Sequence, residues 1–449
     1  MKSVTLVGAG LAGSLLSVYL VKKGFKVEMF ERRSDMRKGK VEAGRSINLA
    51  LSTRGIFALK EIGLYEEIKK IAIPMYGRMM HSIDGELTFQ RYGKDDSEYI
   101  NSVSRAELNK KMLSLAEEFD IKINFSHRCT GFDPEKKECY FVDEITGEKK
   151  TIKSQTIIGT DGSASTLRMD MLKQPGFNFS QEYLEHGYKE LTIPAGENSS
   201  FLIEKNALHI WPRGTFMLIA LPNLDGSFTC TLFHPFDGSE GLNELNNESK
   251  IKTFFEKYFP DALELIPGLT ASFLQNPTGN LITVKCGPWF YKDSLCLLGD
   301  ASHAIVPFFG QGMNAAFEDC TVLNQCIDEL GDNWNKVYPE FYKRRKPNTD
   351  SIADLANENF IEMRDKVGDP KFLLKKKVEH ILEERYPDKF IPKYSMVTFH
   401  RMPYSVARTR GATQENILNE LTENISSVEK VDLEKADKLI KDYLGELGM

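Results

Sequence analysis

Four residues of strand character, Val4-Thr5-Leu6-Val7, run directly into Gly8-Ala9-Gly10-Leu11-Ala12-Gly13. No other stretch limits the fold so severely. A buried strand ending in glycines at this spacing predicts a tight turn into a helix that reaches about Lys23. Gly8 permits the turn, Gly10 lets a phosphate approach the backbone, and Gly13 lets the helix pack close to the strand. The helix N-terminus then offers free N–H groups to an anion. Val27-Glu28-Met29-Phe30-Glu31 follows as a second strand with alternating apolar positions. Glu31 stands at its end, where a carboxylate can accept from ribose hydroxyls. The chain therefore opens as a βαβ dinucleotide-binding unit, open at this point to either FAD or NAD.

Two later pieces favour the flavin. Ile157-Ile158-Gly159-Thr160-Asp161-Gly162 is an apolar strand closed by Asp-Gly. Leu295-Cys296-Leu297-Leu298-Gly299 is another, closed by Asp300, whose carboxylate suits the ribityl hydroxyls of FAD. After it, Pro307-Phe308-Phe309-Gly310-Gln311-Gly312 opens a helix. The positive end of that helix would stabilise negative charge on a reduced flavin ring. Arg105, at the start of a helix, can neutralise pyrophosphate charge. A second complete glycine fingerprint and a redox cysteine pair are both missing, so if a nicotinamide cofactor is used it must bind without a Rossmann domain of its own. His303 is read as a hydrogen-bonded structural residue, and no Ser-His-Asp constellation stands out among the eight histidines.

Composition excludes several classes. The 449 residues suffice for two domains or more. A net charge of -6 argues against a general nucleic-acid binder. The seven cysteines are scattered with no CxxC pair, which fits a reducing compartment and leaves no zinc or other metal site. No signal peptide and no bilayer-length apolar run is seen, so a cytoplasmic, soluble protein is expected.

The expected fold class is α/β. A Rossmann-like FAD-binding domain is joined by a mostly antiparallel β-sheet substrate domain and a helical C-terminal region. The expected division is FAD-binding at 1–65, 98–175 and 286–335, substrate domain at 66–97 and 176–285, and helical region at 336–449. Helical periodicity marks 53–71 and 104–120, the latter with a capping box of Ser104 and Glu107. Strands are read at Ala207–Ile210, Thr215–Leu221 and Ser227–Phe233, with Asn223-Leu224-Asp225-Gly226 as a hairpin turn. Helix returns at 313–330 and dominates from about 333 onward; 405–449 is amphipathic in places.

Together these pieces resemble the single-component FAD-dependent aromatic hydroxylases, the group of para-hydroxybenzoate hydroxylase. Within that group the chain is most similar to the kynurenine 3-monooxygenase family. The resemblance rests on Gly44–Ser52, Pro74–Ser82, His209–Arg213, Ala220–Asn223, Phe228–Phe233, Ile305–Asn314, Asn359–Arg364 and Met396–Phe399. It implies L-kynurenine as substrate. Arg78 would bind the amino-acid carboxylate, as a guanidinium fork suits it. Tyr92 would share that task, with Asn359 and Tyr394 near the head group and Met363 one helical turn from Asn359. Leu208, Met217, Ile219, Leu221 and Phe233 would form the apolar wall; Met217, Ile219 and Leu221 alternate along one strand and share a face. Phe308, Phe309 and Gln311 would lie between substrate and flavin. Beside Gly8, Gly10, Gly13, Glu31, Arg105, Asp161, Asp300 and Gly312, the cofactor set includes Leu11, Ala12, Arg32, Arg33, Ala50, Cys129, Met313 and Asn314.

The resemblance further implies that NADPH reduces a tightly but non-covalently bound FAD. O2 then forms a flavin C4a-hydroperoxide that hydroxylates kynurenine to 3-hydroxy-L-kynurenine, a step of tryptophan degradation. The ring amino group activates the adjacent carbon, so no protein base is assigned as catalytic. Residues 405–449 lack the apolar anchor of membrane-bound relatives, and a homodimer stays open. The alternative is an FAD hydroxylase of another aromatic amine or acid. The three tryptophans, Trp211, Trp289 and Trp334, do not form the Trp-x-Trp-x-Ile-Pro signature of halogenases.

Overall fold

The computed structural model describes residues 2–39, 48–363 and 369–447. Of the stretches carrying the resemblance, Gly44–Ile47 and Arg364 lie outside the described residues. Two large sheets organise the rest. The first has six strands in the order Phe290–Tyr291, Leu295–Leu297, Thr156–Gly159, Ser3–Val7, Lys26–Phe30 and Lys122–Asn124. All neighbours run parallel except the Phe290–Tyr291 edge. The three sequence pieces thus end on three adjacent parallel strands. Gly8, Asp161 and Asp300 meet at one end of the sheet, the carboxyl edge where open α/β sheets bind ligands.

The Leu11–Lys22 helix buries Leu15, Leu16, Val18, Tyr19 and Leu20 against this sheet. Its N-cap Gly10 contributes no side-chain cap, and its first turn holds no acid. The same is true of the Gly312–Leu330 helix behind Gln311. Both helices present unfilled N–H groups to the crevice, because any side-chain cap would occupy the space an anion needs.

The second sheet has seven strands, in the order Thr278–Gly287, Asn178–Ile193, Phe228–Pro235, Met217–Pro222, Ala207–Pro212, Gly77–His81 and Leu87–Arg91. Only the Ala207–Pro212 and Gly77–His81 pair is parallel. The turn at 223–226 does join two antiparallel strands, with Pro222 opposite Phe228 and Gly226 at φ +90°. One face packs on the helices Glu248–Tyr258, Pro260–Leu265 and Leu269–Gln275 through Trp211, Leu218, Leu232, Phe254, Phe255 and Phe273. These helices were not read from the strand-rich texture of 176–285.

Local departures have simple causes. Helix 53–71 is split into Thr53–Ile62 and Tyr65–Lys69 by Gly63 at φ +84°. Ser104 Oγ accepts from Glu107 N–H at 3.4 Å, but the Glu107 carboxylate pairs with Lys110 at 2.8 Å instead of closing the box. Beyond residue 333 come Trp334–Ile361, Pro370–Arg385, Lys393–Thr398, Tyr404–Thr422 and Leu433–Tyr443. Ile417, Leu418 and Leu421 are buried against Val378, Leu382 and Ile440, so the amphipathic stripe is covered from within the chain. Among the described residues no helix is long and apolar enough to cross a membrane.

Candidate active site

The glycine turn separates its three glycines by role. A Cβ on Gly8 would lie 2.4 Å from Thr160 O, and one on Gly13 would lie 2.1 Å from Gly8 O. Those two are required by packing. A Cβ on Gly10 would meet nothing within 4 Å, and its backbone (φ −73°) suits any residue. The open space at Gly10 leaves room for a pyrophosphate. Glu31 Oε2 accepts from Ala9 N–H and Oε1 from Arg33 N–H, each at 2.9 Å. Its carboxylate is thereby fixed at the strand end, while Arg32 and Arg33 are exposed beside it.

Asp161 Oδ2 accepts from Thr166 N–H at 2.8 Å, whereas Oδ1 is buried without a partner among the described residues. Burial pushes this carboxyl's pKa up. An orphaned buried acceptor is costly, and a flavin hydroxyl would satisfy it. Asp300 follows Gly299 (φ +64°) and is half-buried. A Cβ on Gly299 would lie 3.3 Å from Ala316 Cβ and 3.5 Å from Ala12 Cβ, so both open helix starts converge there. The donor set and the open helix ends fit FAD.

Other candidates divide between the crevice and its supports. Asn314 donates to Ala50 O at 2.8 Å and Gly310 O at 2.9 Å, and accepts from Ser52 N–H at 3.0 Å. Its side chain is spent on clamping the loop before the Gly312 helix. Leu11, Ala12, Gly312 and Met313 belong to the two open helix starts. Arg105 is exposed at the start of Arg105–Glu118. Cys129 is buried in a separate three-stranded sheet, its Sγ 3.5 Å from Cys139 Sγ. His303 Nε2 lies 2.5 Å from Asp319 Oδ2, and Arg345 holds Asp319 at 2.7 Å, all buried. That is the structural role expected for His303.

The remaining face of the seven-stranded sheet carries the residues expected to form the apolar wall. Arg78 lies opposite Leu208, Ile210 opposite Ile219, and Met217 opposite Phe233. Cross-strand partners share a face, so Arg78, Leu208, Met217, Ile219, Leu221 and Phe233 all point the same way. Leu208, Ile219 and Tyr394 bridge a cluster containing Met217, Phe233, Phe308, Phe309 and Met363 to one containing Tyr92 and Leu221. Phe308 sits 4.8 Å from Phe233 and is stacked at 4.1 Å on Phe360. Phe309 stacks on Tyr394 at 5.5 Å, and Tyr394 on Tyr92 at 5.4 Å.

Arg78 closes this aromatic row. Its guanidinium carbon is 5.5 Å from the Tyr92 ring centre and 5.0 Å from that of Tyr394. Its Nε is buried without a partner, as is the Tyr92 hydroxyl, among the described residues. Burial raises the pKa of both phenols, so each remains a neutral donor. A cation between two phenolic donors can receive a carboxylate. Asn359 donates to Phe308 O at 2.7 Å and approaches Met363 Sδ at 3.3 Å, which places both on one helix face. Ser52, Phe360 and Tyr404 also border the site, without a side-chain role that their local sequence announces. Phe360 lay inside a matching stretch; Tyr404 carried no chemical signal.

A model of the FAD binding domain family matches residues 1–215. The kynurenine 3-monooxygenase of Myxococcus xanthus (strain DK1622) is 51% identical over 98% of this chain and 95% of its own. That of Dictyostelium discoideum is 46% identical over 99% of both chains. Among solved structures, 2-methyl-3-hydroxypyridine-5-carboxylic acid oxygenase superposes with a TM-score of 0.66 at 19% identity, covering 83% of this chain and 95% of that one. The probable FAD-dependent monooxygenase pqsL of Pseudomonas aeruginosa reaches 0.64 at 17% identity over 81% and 97%. At these identities the solved structures speak to fold alone.

Proposed function

The chain belongs to the kynurenine 3-monooxygenase family, and from that premise we propose that it hydroxylates L-kynurenine to 3-hydroxy-L-kynurenine with NADPH and O2. One oxygen atom enters the ring, the other leaves as water, and NADPH supplies two electrons. FAD, when bound, supplies the passage of those electrons and the activation of O2. Gly10, the two open helix ends, Glu31, Asp161 and Asp300 would hold it.

The protein's own tasks are binding, orientation and exclusion of water. Arg78 takes the substrate carboxylate, with Tyr92 and Tyr394 donating from either side. Asn359 holds the Phe308 carbonyl and so shapes the loop between substrate and flavin. Met217, Ile219, Leu221 and Phe233 press the aromatic ring into place and keep the site dry. The substrate's ring amino group makes the neighbouring carbon electron-rich, so no protein base is required for attack.

The observation that carries this reading is the buried Arg78 guanidinium, its Nε without a partner among the described residues, beside two neutral phenols. Comparing L-kynurenine with its decarboxylated amine tests it. Loss of the carboxylate should weaken binding as much as R78A does, and the amine should bind R78A and the unaltered protein alike. Equal binding of acid and amine by the unaltered protein would refute it.

A further inference from the structure

Gln311 precedes the helix expected to face the flavin ring, and its carboxamide is buried between two hydroxyls. Tyr404 OH meets Gln311 Oε1 at 2.9 Å, and Gln311 Nε2 meets Ser52 Oγ at 3.3 Å. Tyr404 and Gln311 are 0% and 1% exposed. Tyr404 comes from a distant part of the chain, the first residue of the Tyr404–Thr422 helix.

Its ring is itself fixed. The Arg54 guanidinium stacks 3.9 Å from the ring centre. Arg54 also donates to the carbonyls of Val397, His400 and Met402 and pairs with Glu318 at 3.1 Å. Glu318 is held by Arg345 at 2.6 Å. The strap from Val397 to Tyr404 is thus locked to the FAD-binding body by buried charge, and a single hydroxyl reaches from it to the flavin loop. Burial pushes the Tyr404 phenol's pKa far up, so it stays a hydrogen-bonding hydroxyl.

We propose that Tyr404 is a positioning residue: its hydroxyl clamps the Gln311 carboxamide and ties the C-terminal strap to the wall between flavin and substrate. The inference rests on the function proposed above. Both flanking hydroxyls can donate or accept, so the clamp holds in either orientation of the amide. Without it the Gln311 side chain swings, and reducing equivalents escape from hydroxylation.

Y404F keeps the ring and its stacking on Arg54 and removes one oxygen. In the FAD-loaded full chain it should melt near the unaltered protein and retain FAD affinity, measured by titrating apoprotein. Product per NADPH should fall about tenfold, the scale of a small misplacement in a site. The flavin's visible band without substrate should shift, as it should in Q311L, and Y404F should add nothing in the Q311L background. Normal coupling in Y404F, or a full additional loss on top of Q311L, would overturn the proposal. If Y404F does not fold, Q311L decides: normal coupling with an unshifted band refutes the clamp. If the unaltered protein yields no hydroxylated product, the functional reading falls. The band still judges the clamp, supporting it if Y404F and Q311L shift alike and refuting it if neither shifts.

Discussion

The Asn359 carboxamide donates to the Phe308 carbonyl at 2.7 Å, joining the end of the Trp334–Ile361 helix to the loop that carries Phe308, Phe309 and Gln311. The bond crosses from the C-terminal region to the flavin-binding body. N359A leaves a buried carbonyl unpaired, at a cost of about 1–3 kcal/mol. The expected result is unchanged FAD content, a raised KM for L-kynurenine and more NADPH consumed per product. Paired NADPH and product assays check it.

Arg78 forms no direct ion pair among the described residues, Glu362 acting on it only at longer range, so its removal should fall mainly on substrate binding. R78A is expected to raise KM by about 30- to 5,000-fold, the equivalent of about 2–5 kcal/mol for breaking a buried charged pair. FAD absorbance should not change. R78K should recover only part of the loss, because an ammonium cannot form the bidentate fork.

Gly10 and Gly13 separate cofactor binding from folding. G10V places a side chain in open space on an unstrained backbone, so a folded, colourless protein is expected. G13A drives a Cβ to 2.1 Å from Gly8 O and should destabilise the fold itself by a few kcal/mol. Flavin content and melting curves of the two variants distinguish these outcomes. A yellow G10V protein would contradict the pyrophosphate assignment.

This contrast shows what was legible in the chain. Gly8 and Gly13 were readable because only glycine meets their packing, and the Ser104 cap and the 223–226 turn because local chemistry dictates them. The alternation of Met217, Ile219 and Leu221 gave their common face, while their use as a substrate wall came from resemblance. The Asn178–Ile193 strand was not read as a single element, since its exposed half alternates with charged residues. The Gln311–Tyr404 contact joins residues far apart in sequence, and no local pattern encodes such a pairing.

Acid should destabilise the protein through buried histidines. Burial pushes the pKa of His209 and His234 down to about 4 in the folded chain. The unfolded chain takes up these protons near the ordinary value of about 6.5. Folding stability from each is therefore complete above about pH 6.5, falls as pH drops, and is gone below about 4, a loss on the order of 3 kcal/mol per histidine. Urea melts from pH 7.5 to 4.5 should show this decline. H234N should flatten it, because His234 then no longer contributes; an unchanged slope would contradict the assignment.

In the proposed function the Arg78 pocket presents kynurenine to a flavin. NADPH oxidation by the purified FAD-loaded protein, with and without L-kynurenine and with the product identified by mass and chromatography, tests it most directly. A strong kynurenine-dependent rate with 3-hydroxykynurenine as product is expected. NADPH loss that yields only peroxide, or a rate indifferent to kynurenine, would contradict it.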